Sequence, residues 1–291
     1  MNAQAIAPPK EAAFRRLRLW NLVAGVFHLA QAVAMVVISN SAGLAVTTMY
    51  SKYSGGKPEP LLKTIANPRI GIMVSLFLFM SALAHFAIST PGGYRWYVRN
   101  LKQHINYARW IEYAFSASWM IVLIAMLTGM SDLSSLILIG FLNMTMLLFG
   151  MLMERFNKAN DKLDWLPFYF GCIGWIVPWV TIVLFIAGAN GTGGGKVPGF
   201  VYGIMASLFV FFSVFALNMV LQYKRVGKWR DYLYGEKVYI VLSLTAKALL
   251  AWQVFSAVLR GQEAAEERSP CRQDALDGGC SAPGGPKRPT C

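Results

Sequence analysis

The sequence predicts an all-α membrane protein, a seven-transmembrane-helix bundle with a short β-hairpin in the long loop between the first two helices. Three observations carry that prediction. Of 291 residues, 56% are hydrophobic and only 14% charged, whereas charged residues make up about a quarter of an ordinary soluble domain. Seven stretches are apolar over the roughly 20 residues that a helix needs to cross a hydrocarbon core about 30 Å thick. Lys and Arg are also unevenly shared between alternate loops, as in polytopic membrane proteins.

The spans fall at about 14–38, 69–90, 104–128, 132–153, 165–189, 198–222 and 237–259. The first exceeds the apolar core of a cleavable signal, about 7–15 residues, and no small-residue cleavage site follows it cleanly. The loop at about 39–68 contains AVTTMYSKYSGGKPEP. Its β-branched and aromatic runs flank turn residues, which predicts a hairpin on the exterior surface. Between the fifth and sixth spans, GANGTGGGKVPG reads as a flexible, nearly uncharged loop. From Gln262 onward, Pro, Gly, Ser and charge replace apolar residues, predicting a disordered tail. The expected organisation is a cytoplasmic segment 1–13, a seven-helix domain 14–260 and an exterior tail 261–291. No second folded domain, internal repeat or phosphate-binding glycine loop is evident.

The net charge of +13 speaks to orientation rather than to nucleic acid. Fifteen Lys and Arg lie on the side of the N-terminus and the 2–3, 4–5 and 6–7 loops. Six lie on the other side once the residues beyond 267 are discounted, since short loops near helix ends set topology. The N-terminus is therefore expected in the cytoplasm and the C-terminus outside the cell membrane. Cys172, in an apolar span, is expected to be a small inert core residue. Cys271, Cys280 and Cys291 have no metal-ligand spacing, though an exterior tail permits disulfides.

Few ionisable residues interrupt the spans: His28, His85, Arg109, Glu112 and Lys247. An intramembrane charge costs at least ~2.5–3.5 kcal/mol on insertion scales, so each is a candidate functional residue. Counting from the inner ends of their helices, Glu112 lies ~12 Å deep and Lys247 ~15 Å deep. The two can meet if the third and seventh helices are neighbours. One reading is a salt bridge joining two helices. The other is a covalent handle: a neutral lysine amine condenses with an aldehyde to a Schiff base, whose protonated form is a buried cation needing an anion. Ser243, four residues before Lys247, shares its helical face; it either bonds near the nitrogen or back-bonds to a helix carbonyl. His28 with Gln31, and His85 with Ser81, read as an inner polar cavity or as satisfied packing residues. His104, at the membrane edge, is expected to be solvated. Trp20, Trp96, Trp165 and Trp229 read as interfacial anchors. Trp110 and Trp252 either wall an elongated apolar ligand or pack the core.

The stretches SLTAKALLAWQVF and NYARWIEYAFSASW, with the inward N-terminus and the long first loop, together resemble the heliorhodopsins over about residues 14–260. The resemblance implies a retinal-binding, microbial-type rhodopsin of inverted orientation, with all-trans retinal in the dark. It implies a protonated Schiff base on Lys247 and Glu112 as sole carboxylate counterion. Three turns beyond Glu112, where a typical proton pump has a second carboxylate, stands Leu123. By the same resemblance Ser243 supports the Schiff base, and Trp110, Asn143, Met146, Phe212 and Trp252 line the pocket. His28, Gln31, Ser81, His85, Tyr97, Asn106 and Arg109 would form the inner polar cavity and proton acceptor. Homodimers through the hairpin, a slow signalling photocycle without net ion pumping, and an unidentified signalling partner are expected. Catalysis, metal and nucleic acid are not. The alternatives are a light-driven or light-gated ion transporter and a non-photoactive membrane adapter.

Overall fold

The computed structural model describes residues 11–157, 162–191, 197 and 199–267, with side chains to Ala257. Lys158, Lys196 and the tail cysteines Cys271, Cys280 and Cys291 lie outside the described residues. Eight α-helices and one hairpin are described: α1 Glu11–Val37, β1 Val46–Ser54, β2 Lys57–Ala66, α2 Ile70–Ala87, α3 Pro91–Leu101, α4 Tyr107–Leu127, α5 Leu133–Phe156, α6 Leu166–Gly191, α7 Gly199–Tyr223 and α8 Tyr232–Glu267. All but α3 are long and apolar enough to cross a membrane. In lipid a helix satisfies its own backbone hydrogen bonds, so apolar length alone suffices to form each span. Three boundaries of α5 and α8 differ from expectation. α5 runs past residue 153 to Phe156, and α8 begins at Tyr232 and continues to Glu267, beyond the expected domain end at 260.

The extra helix α3 lies in the loop after α2. Thr90 caps it, Oγ1 accepting from Gly93 N at 3.2 Å, and Pro91 occupies its first turn, where the missing N–H is harmless. α3 turns Tyr97 and Leu101 into the protein. They join Phe14, Leu17 and Leu233 in an apolar cluster that closes this end of the bundle.

At the other end stands the hairpin, longer than expected. β1 and β2 are 9 and 10 residues, paired antiparallel down to Ser54 opposite Lys57. The two-residue turn between them is Gly55-Gly56, with φ of 58° and 80°. Positive φ at both positions is what a type I′ turn demands. Only the root is docked: Thr47 N donates to Ser131 O at 2.8 Å, and the Thr47 and Ser131 hydroxyls meet at 3.0 Å.

The helices close a ring in which α2 packs on α1 and α4, α5 on α4 and α6, and α8 on α1 and α7. α6 and α7 meet through rings, Trp175 and Trp179 against Phe209 and Phe212. Lipid offers no hydrophobic drive for helix association, so packing and interhelical hydrogen bonds hold spans together. One such bond runs from Trp119 Nε1 to Met73 O at 2.8 Å. The hairpin half of the interior is apolar, built on Phe77, Ile121, Ile124, Ile182, Leu208, Leu250 and Val254. Between this cluster and the one at α3 lies a polar layer, and there the candidate site sits.

Candidate functional site

Lys247 is 3% exposed. Small neighbours on α8, Ala246 and Ala251, are buried beside it and let other helices approach. Lys247 Nζ donates to Glu112 Oε1 at 2.5 Å and to Ser81 Oγ at 2.6 Å. Ser81 Oγ in turn donates to Glu112 Oε1 at 2.6 Å. The Tyr113 ring centroid is 5.3 Å from Nζ, within cation–π range. Three helices, α2, α4 and α8, thus converge on one ion pair. Ser81, read from the sequence as part of the inner cavity, instead belongs to this pair.

Beside Lys247 opens a cavity of about 260 Å³. Trp110, Met146, Phe212 and Ser243, all named from the sequence, line it. Tyr113, Gly150, Phe168, Trp175, Phe215 and Tyr239 line it too and were missed. Tyr239 and Ser243 were accessible to helical arithmetic: eight and four residues before Lys247, they fall within about 80° and 40° of its direction. Three placements need correction. Trp252, five residues after Lys247, points about 140° away from it; it is 46% exposed on the lipid side and packs on Phe255. Asn143 is buried but stands off the cavity wall, its Nδ2 donating to Ser118 Oγ at 3.2 Å. Cys172 is an exposed thiol at the cavity rim rather than a core residue, because α6 turns that face outward.

A second, smaller cavity of about 30 Å³ is lined by Glu112, His85, Asn106, Arg109, Glu236, Tyr239 and Ser243. Of the seven residues expected there, His85, Asn106 and Arg109 line it; apart from Ser81, the seven divide into two groups. On α1 and α2, the His28 and His85 rings stack at 5.6 Å, and His85 Nδ1 lies 2.8 Å from Asn21 Oδ1. Both ring nitrogens of His28, and Gln31 Oε1, are buried without a hydrogen-bond partner among the described residues. Tyr97, Asn106 and Arg109 instead serve an ion cluster. Arg109 pairs with Glu154 on α5 and, at 2.9 Å, with Glu236 on α8. Asn106 N donates to Glu154 Oε2 at 2.9 Å, and its Nδ2 to Glu236 Oε2 at 2.6 Å. Tyr97 Oη is 3.5 Å from that same amide.

Glu154 and Glu236 were missed because the expected spans ended at 153 and began at 237, leaving each acid one residue outside. Periodicity held the signal. Glu236 lies eleven residues, three turns, before Lys247 and only about 20° off its face. His104 also departs from expectation. It sits in the left-handed region at φ 56°, stacked on Tyr232 at 4.9 Å, and burial, then the charge of Arg225, pulls its imidazole below the ordinary range.

A buried lysine paired with a carboxylate, beside an apolar cavity within seven helices, is the arrangement of a rhodopsin, and the fold is that of the microbial rhodopsins. A light-driven proton pump from Leptosphaeria maculans matches with a TM-score of 0.56 at 18% identity, over 80% of this chain and 93% of that one. The transmembrane domain and linker region of a rhodopsin phosphodiesterase from Salpingoeca rosetta matches with a TM-score of 0.62 at 13% identity, over 88% and 84%. At such identities the likeness speaks for the fold alone. The heliorhodopsin family model matches residues 17–259, and the chain belongs to that family. Comparison with curated proteins gave no match. Membership implies a retinal chromophore and a multi-pass place in the lipid bilayer.

Proposed function

We propose that this protein is a light-sensing photoreceptor that carries retinal, all-trans in the dark, on Lys247 as a protonated Schiff base. We further propose that it works through a slow, signalling-type photocycle without net ion pumping. The observation that carries the reading is the Lys247–Glu112 pair, 2.5 Å apart and buried at the wall of an apolar cavity. The residues present suit retinal. The cavity wall is aromatic and aliphatic, Lys247 supplies an amine, and Gly150 leaves space for the Trp110 ring where a methyl group would collide with it. Ser243 Oγ, on the same wall, has no partner among the described residues. Retinal, when bound, supplies visible absorption and a light-driven change of shape.

The chain's own residues do the rest. Glu112 Oε1 holds the positive charge at the Lys247 nitrogen, and Ser81 Oγ bridges the two. Trp110, Tyr113 and Tyr239 exclude water from one side of that nitrogen. Toward α3, the smaller cavity beside Glu112 offers His85, backed by His28, as a place to hold a proton. Toward the hairpin, packed side chains such as Ile121, Leu250 and Val254 close the way. A proton held on one side and returned to the same side changes charge and shape without crossing the membrane. The excess of basic residues on the α3 side supports a cytoplasmic N-terminus. The exposed apolar residues of the hairpin, including Met49, Tyr53 and Leu62, support a homodimer. An unidentified partner at the cytoplasmic face would receive the signal.

One observation favours the transporter alternative. Glu154 and Glu236 add two buried carboxylates on the α3 side, and Glu236 shares a cavity with Glu112. Both, however, are tied to Arg109. The deciding experiment is purification with all-trans retinal, followed by a spectrum and flash photolysis. A visible band that hydroxylamine bleaches is expected, and Lys247→Ala should give a folded, colourless protein. A coloured, hydroxylamine-sensitive Lys247→Ala variant would overturn the attachment site.

A further inference from the structure

Trp110 belongs both to the large cavity and to the inner ion cluster. Its ring walls the cavity, while its Nε1 donates to Glu154 Oε2 at 2.7 Å. Glu154 is 2% exposed. Its other oxygen, Oε1, pairs with Arg109, which reaches across to Glu236 on α8. Four residues before Glu154, on the same face of α5, stands Gly150. A methyl group there would strike the far edge of the indole, Cη2 and Cζ3. α5 thus holds the ring at two points: the missing side chain admits its edge, and the carboxylate fixes its N–H. Neither Gly150 nor Glu154 has a part in the function proposed above beyond making room for the indole or balancing Arg109.

We infer that Gly150 and Glu154 are positioning residues for Trp110, and that the indole N–H couples the Arg109–Glu154–Glu236 cluster to the chromophore. The coupling rests on the retinal reading of the cavity; the positioning does not. An indole is rigid, so a push on its cavity face must either stretch the bond to Glu154 or drag the carboxylate. Either way the hold of Glu154 on Arg109 changes, and with it the link from α5 to α8. Coupling between two sites is reciprocal, so a change at Glu154 alters the wall that the chromophore meets. A rival route runs through Tyr239, another cavity wall, whose ring centroid lies 3.6 Å from the Arg109 guanidinium carbon.

A double-mutant cycle separates the routes. Trp110→Phe keeps an aromatic wall, removes the N–H and leaves the Arg109–Glu154 pair. In retinal-loaded protein, Glu154→Gln alone should move the absorption maximum and change the slowest photocycle decay by about fivefold or more, the scale of ordinary coupling. Within the Trp110→Phe background the same substitution should change the decay by less than about twofold and leave the maximum in place. Equal effects in both backgrounds would overturn the coupling and assign it to Tyr239 or to the field of the cluster. Gly150→Ala should lower the thermal midpoint of the parent but not of Trp110→Phe, whose shorter ring leaves room. An equal loss in both would overturn the positioning by Gly150. The retinal-free protein supplies an independent readout: the ultraviolet resonance Raman N–H signature of Trp110, obtained by subtracting Trp110→Phe. It should report a strong hydrogen bond in the parent and a weaker one in Glu154→Gln; no difference overturns the positioning by Glu154. If that signature behaves as expected while retinal yields no visible band, the chromophore reading and the coupling fail and the positioning stands.

Discussion

Lys247 Nζ has two oxygen partners, Glu112 Oε1 and Ser81 Oγ, and they are not equivalent. Glu112 brings a charge; Ser81 brings a dipole. Removing one partner of a buried ion pair costs about 3–5 kcal/mol, because the other charge is left without compensation, whereas a hydrogen bond between a neutral hydroxyl and a charged group nets about 1.5–3 kcal/mol. In retinal-loaded protein, Glu112→Gln should therefore show a near-ultraviolet form at a pH where the parent is coloured. Ser81→Ala should stay coloured, with a smaller displacement of its titration. Titrating all three proteins in low chloride checks this, and coincident curves for the parent and Glu112→Gln would place the counterion elsewhere. The tryptophans give a second contrast. Trp110 walls the cavity and Trp252 faces lipid, so Trp252→Ala should leave the absorption maximum where it is and Trp110→Ala should move it. The reverse result would mean that α8 is rotated in the working protein.

At the scale of elements, the hairpin is the part least held by the rest of the chain. Beyond its root every residue from Met49 onward is exposed, and the exposed Met49, Tyr50, Tyr53, Leu61, Leu62 and Ile65 support the proposed dimer surface. Met49 and Leu62 are cross-strand partners and exposed. Replacing both by Lys sets like charges opposite each other, which destabilises the pair, and puts charge on the surface proposed for the dimer. The double variant should run as a monomer by size-exclusion chromatography with light scattering while keeping its pigment. An unchanged mass would show that the dimer, if formed, uses another face. The turn adds a stability prediction. Gly56 sits at φ 80°, where a side chain costs roughly 1–2 kcal/mol, so Gly56→Val should loosen the hairpin, seen as faster amide exchange in β1 and β2, without altering the absorption band.

For the whole molecule, the distribution of charge and polarity has a direction. Basic residues crowd the α3 end, and the polar side chains beyond Glu112, His85, Asn106, Arg109 and Glu236, lie toward that end. The hairpin end is filled by apolar packing. An impermeant label applied to intact cells should reach an epitope placed after Gln262 and miss one placed before Phe14. Under voltage clamp, light should drive no steady current. The opposite labelling would reverse the orientation; a sustained photocurrent with a defined reversal potential would promote the transporter reading.

By itself, the sequence determined the features that each segment settles alone. A span forms wherever about 20 apolar residues run together, because a helix in lipid needs no partner for its backbone. The paired glycines after Ser54 specify their turn locally. The depths of Glu112 and Lys247 follow from helical rise, so their pairing was legible before any contact was known. Only the tertiary structure decided which faces meet. The rotation of a membrane helix about its axis is set by its neighbours. That rotation brought Ser81 onto the Lys247–Glu112 pair, turned Trp252 and Cys172 toward lipid, and kept Asn143 off the cavity wall. It also gathered Glu154 and Glu236 around Arg109. Those acids stand at helix ends, where sequence boundaries blur by a residue or two, and what holds their charges inside is an arginine on a third helix.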